Sequence, residues 1–129
     1  MAYAAALLRA LTGKLQLRQA LEKAYYSNDK AALELVAREN IPETICRMEQ
    51  VAAMFRENWL ECARANGMER IQTRFAGQIC RLQELQQRIG EFLTGKVSQI
   101  DELEHPLDRN LPPQRMNFYH RVSSGSNHI

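Results

Sequence analysis

The chain has no G-x-S-x-G elbow, no H-E-x-x-H pair, no glycine-rich phosphate loop and no C-x-x-C spacing. It therefore offers no ready-made nucleophile, metal cluster or nucleotide cradle. Its cysteines, Cys46, Cys62 and Cys80, are odd in number and fall among helical apolar positions. That pattern predicts reduced, buried thiols and a cytoplasmic setting, not a disulfide framework. No run approaches the roughly 18 uninterrupted apolar residues of a membrane span. The apolar start from Tyr3 to Leu8 has no basic residue before it and is interrupted at Arg9, so it reads as an amphipathic helix and not as the core of a signal peptide. An excess of one charge is missing too: 17 basic and 15 acidic side chains leave a formal charge of +2, which demands no polyanionic partner.

What is present is helical periodicity. At 129 residues the chain fits one domain able to bury a core without staples. Ala4, Leu8, Leu11, Leu15, Leu21 and Tyr25 recur at helical spacing and predict the core face of a first helix, which Gly13 could bend. Ser27, Asn28 and Asp29 supply turn and cap chemistry before a short second helix over Ala31 to Arg38, which ends at Asn40-Ile41-Pro42. A long third helix starts at Pro42-Glu43, faces the core with Ile45, Met48, Ala52, Phe55, Trp59 and Cys62, and stops near Gly67. Ile71, Phe75, Ile79, Leu82, Leu85, Ile89 and Phe92 repeat the pattern in a fourth helix closed by Gly95, antiparallel to the third across a short break. Ser98-x-x-Asp101 can cap one more short helix through Leu103. After His105-Pro106 the helical period is lost, and Pro112-Pro113 and a Ser/Gly/Asn-rich end predict an extended tail that gains order only against the bundle or another domain.

Few residues invite chemistry. Asp101 and Glu102 are adjacent carboxylates, but helical neighbours point about 100° apart, so they fit helix-start charge better than paired acid and base. His105, His120 and His128 lie fifteen and eight residues apart, without metal-site spacing. Arg70, Arg74, Arg81 and Arg88 form a basic line on the fourth helix that could touch phosphates, yet Glu84 and Glu91 stand where they can pair with it. Trp59 could stack on a sugar ring, while its register with Phe55 and Cys62 favours the core. Ala76-Gly77 is a small-residue notch inside a helix, where glycine costs about 1 kcal/mol relative to alanine. It admits a close approach, either by another helix of this domain or by a separate domain or subunit.

The order Phe55-Arg56, Trp59-Leu60, Asn66-Gly67, Glu69, Arg74-Phe75-x-Gly77, Arg81-Leu82, Leu93-x-Gly95 and Ile100-x-Glu102-Leu103-Glu104 resembles the C-terminal helical domain of glycoside hydrolase family 20, of the exo-β-N-acetylhexosaminidase type. Arg18, Ala24-Tyr25 and Asp29-Lys30 are similar to its opening helices, and Asn117, Val122, Ser124 and Ser126 to its closing strip. The resemblance implies a parent enzyme whose chemistry sits on a (β/α)8 barrel. There an Asp-Glu pair works with the substrate's own acetamido group, Glu as the acid and Asp orienting that group. No barrel strand precedes Asp101-Glu102, so that pair is not carried over. Two departures stand out: Arg64-Ala65-Asn66 replaces an Asn-Lys-Pro-like approach to the glycine, and Ala76-Gly77-Gln78 puts a polar residue where an apolar one is usual.

The expected fold is all-α, a bundle of about four to five helices with two long antiparallel helices and an extended C-terminal tail. The bundle would span 1–105 and the tail 106–129. The resemblance implies a non-catalytic domain that packs on the catalytic barrel of a β-N-acetylhexosaminidase, on a second copy in a homodimer, or on both. The interface candidates are Trp59, Glu69, Arg74, Gly77 and Arg81. No catalytic residue, metal, cofactor, nucleic acid or membrane is expected. The alternatives are a freestanding helical protein-interaction module and, more weakly, a nucleic-acid binder using the Arg70 to Arg88 line.

Overall fold

The computed structural model describes residues 2–104 and is all-helical over that span. Three long helices make the bundle: α1 (Ala2–Tyr26), α3 (Ile41–Cys62) and α4 (Met68–Leu93). Short segments α2 (Lys30–Leu35) and α5 (Asp101–Glu104) close one end. The fold class matches the sequence reading, but with three long helices rather than two. The expected tail, 106–129, lies outside the described residues, as do His105, His120 and His128.

Contacts fix the directions of the helices. Tyr3 meets Phe55, and Gly13 meets Arg47, so α1 and α3 run antiparallel. Phe55 meets Phe75, with ring centroids 5.7 Å apart, and Ala37, just before α3, meets Gln86, so α3 and α4 also run antiparallel. Lys14 reaches Gln78 and Tyr25 reaches Phe92, so α1 and α4 run parallel.

The main core gathers Leu17, Leu21, Leu33, Val36, Ile41, Leu82, Leu85 and Ile89, and is closed by Ile100 and Leu103. Both closing residues are held by α1: Tyr25 accepts a hydrogen bond from the Ile100 amide at 3.2 Å, and Tyr26 donates to the Leu103 carbonyl at 2.8 Å. A smaller cluster around Ala10, Met48 and Val51 fills the other end, with Leu7, Phe75 and Ile79 against it.

The expected break at Asn40-Ile41-Pro42 does not occur. Leu35, Asn40 and Ile41 all keep right-handed helical backbone, and Val36–Asn40 forms a single π-helical turn between α2 and α3. The Ile41 amide bonds to the carbonyl of Val36, five residues back. In that register the Ala37 carbonyl would await an N–H from residue 42, which proline lacks. Gln86 of α4 supplies it, its side-chain amide donating to the Ala37 oxygen at 2.7 Å. A long-range glutamine thus lets the chain pass a proline without a break. Asp29 caps the start of the whole stretch by accepting from the Ala32 amide at 3.0 Å.

Two further expectations need correction. The buried face of α1 is Ala10, Gly13, Leu17, Leu21 and Ala24, not the Leu8, Leu11, Leu15 line. Leu8 and Leu15 are each 65% exposed and Leu11 is 48% exposed. Gly13 does not bend the helix. It is buried because the Arg47 guanidinium lies 2.6 Å from where a Cβ would stand. All three cysteines are free and exposed, not buried. On α3 the buried positions are Ile41, Thr44, Met48, Val51 and Phe55, a face rotated away from Cys46 and running out before Cys62. Cys80 sits two residues from buried Leu82, on nearly the opposite side of α4.

Ile89→Ala should lower the unfolding free energy by about 2–5 kcal/mol, as expected for a fully buried large side chain. Gln86→Leu should cost about 1–3 kcal/mol, because it strands the Ala37 carbonyl. Urea unfolding followed by circular dichroism measures both, and a Gln86→Leu loss indistinguishable from zero would mean that this carbonyl finds another partner.

Candidate interaction surface

The turn between α3 and α4 is built around Trp59. Its ring stacks on Phe55 at a centroid distance of 5.6 Å, and its indole N–H donates to the Arg64 carbonyl at 2.7 Å. Gly67 follows with φ of +89°, a left-handed conformation that side chains resist, and its Cα side faces the Trp59 ring. Trp59 is therefore half-buried and committed to closing this turn, with only its outer edge available.

Beyond the turn, α4 presents the other four candidate residues. Glu69 is exposed in the first turn of the helix, where its carboxylate favours the dipole. Arg74 is exposed, and Gly77 and Arg81 are half-buried. Helical geometry places Arg74, Gly77 and Arg81 on one flank and turns Glu69 about 140° away from Arg74. The structure thus groups three of the five and leaves Glu69 and Trp59 apart from them. A Cβ at Gly77 would meet nothing within 4 Å, so none of the described helices fills the notch. Among the described residues Arg70 and Arg74 have no acidic partner, whereas Arg88 pairs with Glu91 at 3.3 Å and with Asp101 at 3.7 Å. Glu91 also accepts from Lys96 at 2.6 Å, and these two cations hold its carboxyl below the usual range.

Two residues that the sequence did not single out join the helices here. Lys14 of α1 donates to the side-chain oxygen of Gln78 of α4. Burial lowers the Lys14 pKa from its ordinary value of 10.5. This bridge gives a physical reason for the polar residue at position 78, where an apolar one is usual. The leucine strip of α1 was legible as a pattern but was assigned to the wrong face.

The remaining surface holds open grooves without converging chemistry. One, about 660 Å³, lies between α2 and α4 beside Lys30, Glu34, Arg38 and Thr94. Another, about 470 Å³, runs between α1 and α3 beside Arg9, Gln16, Arg47 and Gln50. Arg47 there is paired with Glu43 at 2.5 Å. Among the described residues no group of three histidine, cysteine or carboxylate side chains could hold a metal. No helix is long and apolar enough to cross a membrane.

Comparison with known families finds one description. The family model for the Glycoside Hydrolase 20C C-terminal domain matches residues 1–122. No curated protein matches the chain.

The Lys14 bridge makes a pH prediction. Because folding lowers this pKa, the unfolded chain binds more protons below 10.5, and stability should rise with pH through the window from the lowered value up to 10.5. Lys14→Met should remove that rise relative to the parent chain. Urea unfolding of the two proteins at several pH values between about 8 and 10.5 tests it, and parallel curves would count against a buried ammonium.

Proposed function

Because the chain belongs to the glycoside hydrolase 20C C-terminal domain family, we propose that it is the non-catalytic helical domain of a β-N-acetylhexosaminidase. It packs on that enzyme's catalytic (β/α)8 barrel, on a second subunit, or on both. The observation that carries this reading is the family match itself, which spans every described helix. In support, one flank of α4 carries a notch that no described helix fills, beside Arg74, which has no acidic partner among the described residues.

In this proposal the barrel or second subunit meets Arg74, Gly77 and Arg81, with the outer edge of Trp59 and the exposed Glu69 at the margins of the contact. The described residues, 2–104, form the docking body. Three exposed free thiols suit a reducing, cytoplasmic compartment, where they would stay unpaired.

The test is to mix the purified chain with a separately expressed family 20 catalytic domain, following association by light scattering and hydrolysis of an N-acetylglucosaminide. Alone, the chain should hydrolyse nothing. With the catalytic domain it should form a complex that is more active or more heat-resistant than the catalytic domain by itself. A monomer that ignores the catalytic domain would overturn the proposal in favour of a freestanding interaction module.

A further inference from the structure

α1 is apolar on two sides. One side packs on α3; the other carries Ala4, Leu8, Leu11 and Leu15 at spacings of four, three and four, the seam of a helix that expects a partner. Among the described residues nothing covers it: Leu8 and Leu15 are 65% exposed and Leu11 is 48% exposed. Three leucines in one strip differ from scattered surface leucines, because contiguous apolar patches mark interaction sites.

The strip is not isolated from the α4 flank. α1 and α4 run parallel and are tied by the Lys14 to Gln78 bridge. Leu11 and Leu15 lie three residues before and one after Lys14. Arg74, Gly77 and Arg81 lie four before, one before and three after Gln78. Leucine strip and arginine flank therefore border the same seam from opposite sides and form one continuous face.

We infer that this composite face of α1 and α4, with Leu8, Leu11 and Leu15 as its apolar strip and Arg74 and the Gly77 notch as its edge, docks the enzyme's own catalytic domain. That partner surface presents an apolar ridge bordered by carboxylates. The inference rests on the accessory-domain reading above and names the surface that reading requires.

Charge selects the occupant. On this face α1 contributes Lys14, already engaged with Gln78, whereas Arg9 lies in the groove against α3. The α4 flank adds Arg70 and Arg74, which have no acidic partner among the described residues. A second copy on this face would set cations against cations, which disfavours pairing. A surface with carboxylates around its apolar centre satisfies them instead. Position in the polypeptide points the same way. A domain of a C-terminal family has the rest of its enzyme as its neighbour.

The experiment titrates the 129-residue chain into the separately expressed family 20 catalytic domain from the same source by calorimetry, comparing wild type with Leu8→Ser/Leu15→Ser and with Gly77→Gln. Neither change touches the buried core, so thermal unfolding monitored alongside should be unchanged or shifted upward. Each variant should bind at least tenfold more weakly, and wild-type binding should weaken as salt is raised. Wild-type binding with unchanged affinity in both variants would overturn this surface while leaving the accessory-domain reading intact. Self-association of the wild-type chain that the leucine changes abolish would make a second copy the occupant and overturn the choice of partner. No binding by the wild-type chain would overturn both.

Discussion

The orientation of α1 depends on how closely it approaches α3 at Gly13. With no side chain there, the Arg47 guanidinium crosses the helix at a distance no Cβ would permit. Ala10 lies one turn away, and the two small residues leave room for the Arg47 side chain to lie across α1. That contact decides which side of α1 turns inward. Fully buried large side chains appear on α1 only from Leu17 onward, while Leu7 packs half-buried against the smaller cluster. The leucines of the first half are consequently turned out. The exposed strip follows from the small contact, since a helix cannot present Ala10 and Leu8 to the same neighbour.

This is also where the sequence was ambiguous. Ala4, Leu8, Leu11 and Leu15 carry the stronger hydrophobic signal, and periodicity alone assigns them to the core. The face actually buried is read from size, not hydropathy, and nothing in a single sequence says that close approach wins over leucine area. By contrast, Leu82, Leu85 and Ile89 on α4 were legible, because that helix has one apolar side and a charged one. Cys62 was misplaced for a related reason: it fits an α3 stripe drawn through Ile45 and Ala52, while burial follows Thr44 and Val51. Thr44 is compatible with burial because its hydroxyl donates to the Asn40 carbonyl at 2.7 Å. Of the candidate surface, the sequence offered Arg74, Gly77 and Arg81 together with Trp59 and Glu69, which helical geometry sets apart, and the Lys14 to Gln78 tie to α1 was not legible, since its partners are distant in sequence.

Glutamines on α4 carry much of the specificity between helices. Gln86 completes the π-helical turn by capping the Ala37 carbonyl, and Gln78 receives the half-buried Lys14. Each meets a polar group that helix packing alone would leave unsatisfied, and a buried polar group without a partner is costly. They fix the register of α4 against both neighbours, which apolar contacts permit to slide. Among the described residues no buried side-chain nitrogen or oxygen lacks a partner, so this polar layer is complete.

The parallel course of α1 and α4 also aligns their macrodipoles. Both N-termini, each equivalent to roughly half a positive charge, lie at the end of the bundle that carries the leucine strip, against a single C-terminus from α3. Arg70 stands in the first turn of α4, where a cation opposes the local field. The backbone itself therefore adds positive potential to this end, and a carboxylate placed there by a neighbour would relieve a repulsion that the isolated domain retains.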